Sequence, residues 1–198
     1  MNKTIMLSLL CAFLLLPGCS SAPITLNYYK LDTADGSEIK ERHNNAPVIA
    51  IHSVRLAEHL RGRNLVMQQT DLTLSIATKH LWAEPLEDDI GTLLAREIRS
   101  SGKFDAFYSP APQLGFHGAQ QQISLVIEHF IPLASGDVVL SGYWFDQHNK
   151  QLPPQRFHYR QELSQDGYPH AVAKMRQLLA RLGSDITQTL ATSSAEKL

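Results

Sequence analysis

Cysteine and histidine are the side chains of this sequence whose chemistry is available near neutral pH, as nucleophiles, metal ligands and acid–base groups. There are two cysteines, Cys11 and Cys19, and nine histidines. Their spacing withholds most of that chemistry. No two histidines form an H-x-H or H-x-x-x-H pair, the arrangements that put two ligands on one face of a strand or helix. His52, His59 and His80 fall among predicted strand and loop residues with no pattern to gather them, and zinc is not expected. His129 and His158 lie in predicted strands beside Glu128 and Tyr159, where a surface or interface role is the default. Glu84, Glu87, Asp88 and Asp89 could form a cation site, but carboxylates crowding a helix start are first of all the charges its positive end attracts. The G-x-S-x-G, H-E-x-x-H, Walker A and dinucleotide fingerprints are absent from the sequence. A Ser-His-Asp set cannot be read from chain order, because its members assemble in space. The expectation is no catalytic residue, no cofactor and no metal site.

Cys19 is different. Lys3 supplies a short positive region, and Ile5 to Leu16 is an apolar run broken only by Ser8. That is the length of a secretory signal and short of the roughly 20 residues that span a bilayer. The run ends at Leu16-Pro17-Gly18-Cys19. This resembles the bacterial lipobox, in which a small residue precedes a cysteine that is lipidated through a thioether and becomes the first residue after cleavage. Pro17 departs from the small residue usual two positions before the cysteine. Residues 1–18 are then a lipoprotein signal peptide, Cys11 is removed with it, and the mature chain starts at its only thiol, which is acylated. No disulfide, redox pair or cysteine metal site is left. Ser20 follows, where an Asp would resemble an inner-membrane retention signal, so the expected destination is the periplasmic face of the outer membrane. Three acyl chains exceed the two signals that stable anchoring takes. Residues 19–27 form the tether, which places Tyr28 at most about 32 Å from the lipid.

The elements that follow the tether are those of one domain, since 198 residues are too few for two ordinary cores. With 18 Lys+Arg against 19 Asp+Glu, the chain offers no electrostatic case for nucleic acid. A short strand at Tyr28–Leu31 leads into a polar, turn-rich loop from Asp32 to Pro47. Strands are predicted at Val48–Val54, Asn64–Gln69 and Leu72–Thr78, the last from the alternation of Leu72, Leu74 and Ile76 with Thr73, Ser75 and Ala77. A helix starts at Pro85, with Leu86, Ile90, Leu93, Leu94 and Ile98 as its buried stripe and Gly102 as its cap. A short strand at Phe104–Tyr108 and a Pro/Gly loop from Ser109 to Gly118 come next. Strands at Gln122–Ile131, Val138–Phe145 and Arg156–Leu163 are joined by loops short enough for antiparallel neighbours. Gly142 inside the second implies a bulge or a close backbone approach. A last helix, Pro169–Leu190, carries the seam Val172, Met175, Leu179, Leu182 and Ile186, fit to cover the sheet or to dock a partner helix. The reading is a single α/β domain over 28–191, a mixed β-sheet of six or seven strands with two main helices, and a frayed tail at 192–198.

These pieces together resemble a known family. A lipobox, Tyr28-Tyr29-Lys30-Leu31, Arg55-Leu56-Ala57-Glu58-His59-Leu60 before a strand, and Leu81-Trp82-Ala83-Glu84-Pro85-Leu86 opening a helix are similar to the PqiC/YmbA family, the ABC-type transport auxiliary lipoproteins. Val139-Leu140-Ser141-Gly142-Tyr143-Trp144 and Gln165-Asp166-Gly167-Tyr168 follow the same pattern, and the likeness spans nearly all of residues 19–190. The resemblance implies a lipid-anchored outer-membrane protein that serves a transport system moving lipids between the two membranes. It implies an MCE-domain (PqiB-like) protein as partner, docking as a homo-oligomer, no enzymatic activity and no cofactor. Trp82 and Pro85 match the motif, yet chemistry assigns them first to structure, as an apolar anchor and a helix start. Two other functions stay open on the residues alone. A lipid carrier needs an apolar cavity, and an envelope hydrolase needs converging Ser, His and Asp side chains.

Overall fold

A computed structural model of the chain describes residues 23–32, 46–108 and 118–195. The predicted signal peptide, Cys19 and most of the two predicted loops, at 33–45 and 109–117, lie outside the described residues. The elements are β1 (Asn27–Tyr29), β2 (Val48–Leu56), a 3-10 turn (Glu58–Leu60), β3 (Asn64–Gln68), β4 (Leu74–Trp82), α1 (Leu86–Ser100), β5 (Asp105–Tyr108), β6 (Gln121–Leu133), β7 (Asp137–Asp146), β8 (Gln155–Glu162) and α2 (Tyr168–Ala195). The fold is the expected mixed α/β domain with two helices. The sheet has eight strands, not six or seven.

β6 organises the sheet. β7 lies antiparallel along one of its edges from Ile123 to Leu133. β2 and β3 therefore share the other edge end to end, β2 opposite Gln121 to Ile127 and β3 meeting it at Leu133. β5 extends the sheet beyond β2, β8 beyond β7, and β4 then β1 beyond β3. β1, β2 and β5 lie parallel to a neighbour, and the hairpin pairs β3–β4, β6–β7 and β7–β8 are antiparallel.

Both helices cover one face of the sheet. The predicted stripes are the observed ones: Leu86, Ile90, Leu93, Leu94 and Ile98 of α1, and Val172, Met175, Leu179, Leu182 and Ile186 of α2, are all buried. They meet Ile123, Leu125 and Ile127 of β6, Val138, Leu140 and Trp144 of β7, and Phe157 and Tyr159 of β8 in one core. The seam of α2 thus covers the sheet of its own chain. Gly102 ends α1 with φ 71°, its N–H donating to the Arg99 carbonyl at 3.0 Å. Gly91 lets the Tyr108 ring lie against α1, where a Cβ would come within 2.5 Å of it.

Several boundaries differ from expectation, because partners are set by tertiary structure; β2 and β6 run on to Leu56 and Leu133, and three other elements differ further. β1 is shorter, since Lys30 to Asp32 leave the strand to meet α1. β4 runs over Leu74–Trp82, not 72–78, because β1 pairs with His80 to Trp82 and prolongs it. Its alternation does not point to the core: Leu72, Leu74 and Ile76 are exposed, as are Thr73 and Ser75 between them. α2 continues to Ala195, past the predicted end at Leu190, which is itself buried against the core.

Gly142 satisfies both readings of its place in a strand. The β6–β7 register shifts between Ile127 and His129, opposite Gly142 and Ser141, and a Cβ on Gly142 would stand 2.0 Å from the Val126 carbonyl oxygen. Gly142→Ala should therefore abolish or sharply lower the cooperative melting transition, because the clashing atom is backbone. Leu94→Ala removes a fully buried side chain of α1 whose end lies near Gly183 of α2. It should cost about 2–5 kcal/mol in urea unfolding, and an unchanged midpoint would contradict the assigned face.

Candidate functional site

The chain around β1 is clamped to the domain, and the clamp is built from residues of three elements. β1 adds to the sheet edge beside β4, and the Ala83 N–H donates to the Tyr29 carbonyl at 2.8 Å. Past β1 the chain leaves the ladder, so the amides of Leu31 and Asp32 need other acceptors. One carboxylate supplies both: Asp89 Oδ2 accepts from Leu31 N–H at 2.6 Å and Oδ1 from Asp32 N–H at 3.2 Å. Leu31 is fully buried beneath them. Asp32 in turn pairs with Arg96 on the same helix, and Lys30 reaches Glu84 at 3.0 Å. His80 closes the other side, accepting or donating to Tyr29 Oη at 2.8 Å and stacking on Tyr168 of α2 with centroids 4.0 Å apart. Burial pushes the Asp89 carboxyl up to about 6, against the two amides that favour its charge, and nearby Glu84 pushes the same way.

The acidic cluster at the start of α1 is thus used internally. Glu84 holds Lys30, Asp88 accepts from Tyr108 Oη at 2.7 Å, and Asp89 holds the incoming chain. Burial and Asp88 together hold the Tyr108 phenol above its usual range. Among the described residues no three His, Cys, Asp or Glu side chains are placed to hold a metal ion.

The face of the sheet opposite the helices exposes polar side chains on β6 and β8, while Ile131, Val139 and Ser141 between them are buried. It carries Ser141 and Tyr143 of β7, His129 of β6, and Arg156, His158 and Arg160 of β8, placed by their register. Arg156 lies over the Tyr143 ring at 5.6 Å, and Arg160 pairs with Asp137 at 2.5 Å. His59 stands 6.3 Å from His129, ring to ring, and its pKa is lowered by burial and then by that neighbour. The three histidines His52, His59 and His80 go to separate neighbours: Gln122, His129 and the Tyr29–Tyr168 pair. His129 Nδ1 lies 3.0 Å from Ser141 Oγ and His170 Nε2 3.3 Å from Ser164 Oγ. Among the described residues neither ring is met by a carboxylate.

Two cavities bear on binding. An apolar one of about 10 Å³ between Leu60, Leu65, Trp82, Leu86, Phe130 and Met175 holds no more than a water. An open cleft of about 470 Å³ between β8 and the last turns of α2 mixes Trp144, Phe157 and Tyr159 with Gln155, Asp185, Gln188 and Thr189.

A family model described as the ABC-type transport auxiliary lipoprotein component matches residues 29–187. The chain belongs to that family. The match begins at Tyr29 in β1 and ends in α2, so the clamp and both helices are parts of the family domain. Two curated relatives, the intermembrane transport lipoproteins PqiC of Escherichia coli K12 and of Shigella flexneri, are each 27% identical over 179 residues, which is 90% of this chain and 94% of the relative. Among solved structures, an uncharacterized protein superposes with a TM-score of 0.70 at 24% identity, covering 84% of this chain and 99% of its own. A Xanthomonas campestris protein does so at 0.59 and 15% identity, covering 77% and 88%. Both share the fold.

The sequence placed Trp82 and Pro85 correctly as structural residues. Trp82 is buried in the core and Pro85 is the N-cap of α1. It did not single out Asp89 among four carboxylates; only burial distinguishes it, at 2% exposure. Between its ordinary value of 3.8 and about 6, the folded auxiliary lipoprotein domain binds a proton that the unfolded chain has released. Its stabilising contribution is therefore full below the ordinary value and lost as pH rises through about 6. Asp89→Asn cannot titrate. The melting temperature of the variant should gain on the parent as pH rises across that window and hold a constant difference above it. A difference independent of pH would contradict the raised carboxyl.

Proposed function

We propose that this auxiliary lipoprotein is an outer-membrane, periplasm-facing docking component of an intermembrane lipid transport system, held by acyl chains on Cys19 and acting without catalysis. Its partner is an MCE-domain (PqiB-like) transport protein, received by a homo-oligomer of this chain. The observation that carries the reading is the family match over residues 29–187, with relatives named as intermembrane transport lipoproteins. The architecture supports it. A tether that begins at Cys19 joins the domain at the clamped strand β1, so a pull on the anchor is borne by the β4 edge and by α1 through Asp89. The exposed side chains on the face of β6, β7 and β8 opposite the helices, among them His129, Arg156, His158 and Arg160, offer charge and rings to a protein partner, the composition of an interface rim. A carrier would enclose acyl chains, and among the described residues the enclosed apolar cavity between Trp82, Phe130 and Met175, at about 10 Å³, has no room for one.

Two experiments test the proposal. Cys19→Ala should abolish palmitate incorporation and leave an uncleaved precursor; incorporation equal to that of the parent would refute acylation at this residue. A soluble form made by exchanging the signal should still bind the MCE-domain partner in vitro. It should fail to restore envelope integrity in a deletion strain, since the acyl chains supply the high local concentration at the membrane. Full rescue at normal expression would count against docking.

A further inference from the structure

Leu72 is the one non-glycine residue with a left-handed backbone among the described residues, at φ 69°. It is also 83% exposed. Glycine, Asn or Asp would take that conformation with less strain and would suit water better, and Leu72 gains no burial within the chain in return. The turn that presents it is well held. Gln69 N–H donates to the Thr73 carbonyl at 2.8 Å, and the Asp71 carboxylate accepts from the Thr73 N–H at 3.1 Å and its hydroxyl at 2.6 Å. Leu74 and Ile76, 42% and 62% exposed, continue the apolar surface along β4. From Asn64 to Thr78, Asp71 is the single charged residue.

The direction of the chain indicates what covers this tip. β1 runs parallel to β4 with Asn27 opposite His80, so the chain arrives at β1 from the end of β4 where the tip lies. Ile24 and Leu26, 70% and 43% exposed, lie on that approach. Cys19 precedes Asn27 by eight residues, and Leu72 precedes His80 by eight. Eight residues span at most about 28 Å, enough to reach the level of the tip. The β6–β7 turn lies at the same end, its Ala134 N–H donating to the Gln68 carbonyl at 2.8 Å. The polar β7–β8 loop, with Lys150, lies at the opposite end of those strands.

We infer that the tip of the β3–β4 hairpin, with Leu72, Leu74 and Ile76, inserts into the headgroup–acyl boundary of the membrane that carries Cys19, as a second contact beside the acyl chains. The inference rests on the anchoring proposed above. A tip with three exposed apolar side chains and a single charge, Asp71, suits that boundary, and two contacts fix the orientation of the domain where a tether alone leaves it free to turn.

The test uses the acylated protein in vesicles of phosphatidylethanolamine and phosphatidylglycerol. With Cys19 acylated, Ser75→Cys provides one free thiol on the exposed part of β4 and leaves the three apolar side chains in place; Lys150→Cys is the control. An environment-sensitive fluorophore at position 75 should shift to the blue and be quenched by lipids with a nitroxide near the headgroup, while the one at position 150 stays aqueous. Adding Leu72→Asp and Ile76→Asp should remove the shift and the quenching with the melting temperature unchanged. Flotation is read first: protein that does not float with the vesicles overturns the anchor and this contact with it. Protein that floats with an unquenched probe at 75 overturns the contact alone, as does quenching that survives the two aspartates. A blue shift that needs no lipid and grows with protein concentration assigns the tip to a second copy of the chain and also overturns the inference.

Discussion

Every layer of the domain is referred to the thirteen-residue strand β6. Its backbone is the ladder partner of β7 along one edge and of β2 and then β3 along the other. Because a strand has only two edges, full occupancy by β7 forces β2 and β3 to follow one another on the remaining side. The β3–β4 hairpin is thereby carried to the end of the sheet. The bulge between Ile127 and His129 depends on Gly142 across the ladder, where no side chain fits beside the Val126 carbonyl. The helices then cover the inward face of the same strand.

The attachment of the chain's start follows from a second constraint, the obligation of buried amides to be paired. Leu31 enters the core just after β1 ends, and its amide and the next have no strand to donate to. Asp89 answers both from the first turn of α1. Burying a carboxylate there costs free energy, visible in its raised pKa, and the two N–H groups offset part of that cost. The result is a link between tether and helix that runs from two backbone N–H groups to one buried carboxylate and not through exposed, flexible side chains alone. An exposed ion pair such as Lys30–Glu84 would contribute little by itself.

With one face of the sheet closed by α1 and α2, interaction is left to the open face, the strand ends and the cleft beside α2. The open face sets cations against partners of its own sheet, Arg156 near Glu128 at 3.7 Å and Arg160 at Asp137. A surface of this kind favours recognition by shape and paired polar groups over long-range steering by net charge.

The sequence by itself determined the class of the domain and much of its interior. The stripes of α1 and α2 were legible because a helix repeats every 3.6 residues whatever it packs against. Gly102 and Gly142 were legible because a missing side chain has few uses in those places. The family likeness is likewise a property of residue order. What only the tertiary structure decided concerns partners distant in the chain. Alternation at Leu72, Leu74 and Ile76 reads as half-buried strand, but whether a core lies on either side is a matter of where the hairpin ends, and here none does. Four carboxylates at one helix start look alike in sequence; Asp89 differs because Leu31, 58 residues away in the chain, brings an unpaired amide to it. Local periodicity fixes which way a side chain points, and long-range pairing fixes what it meets there.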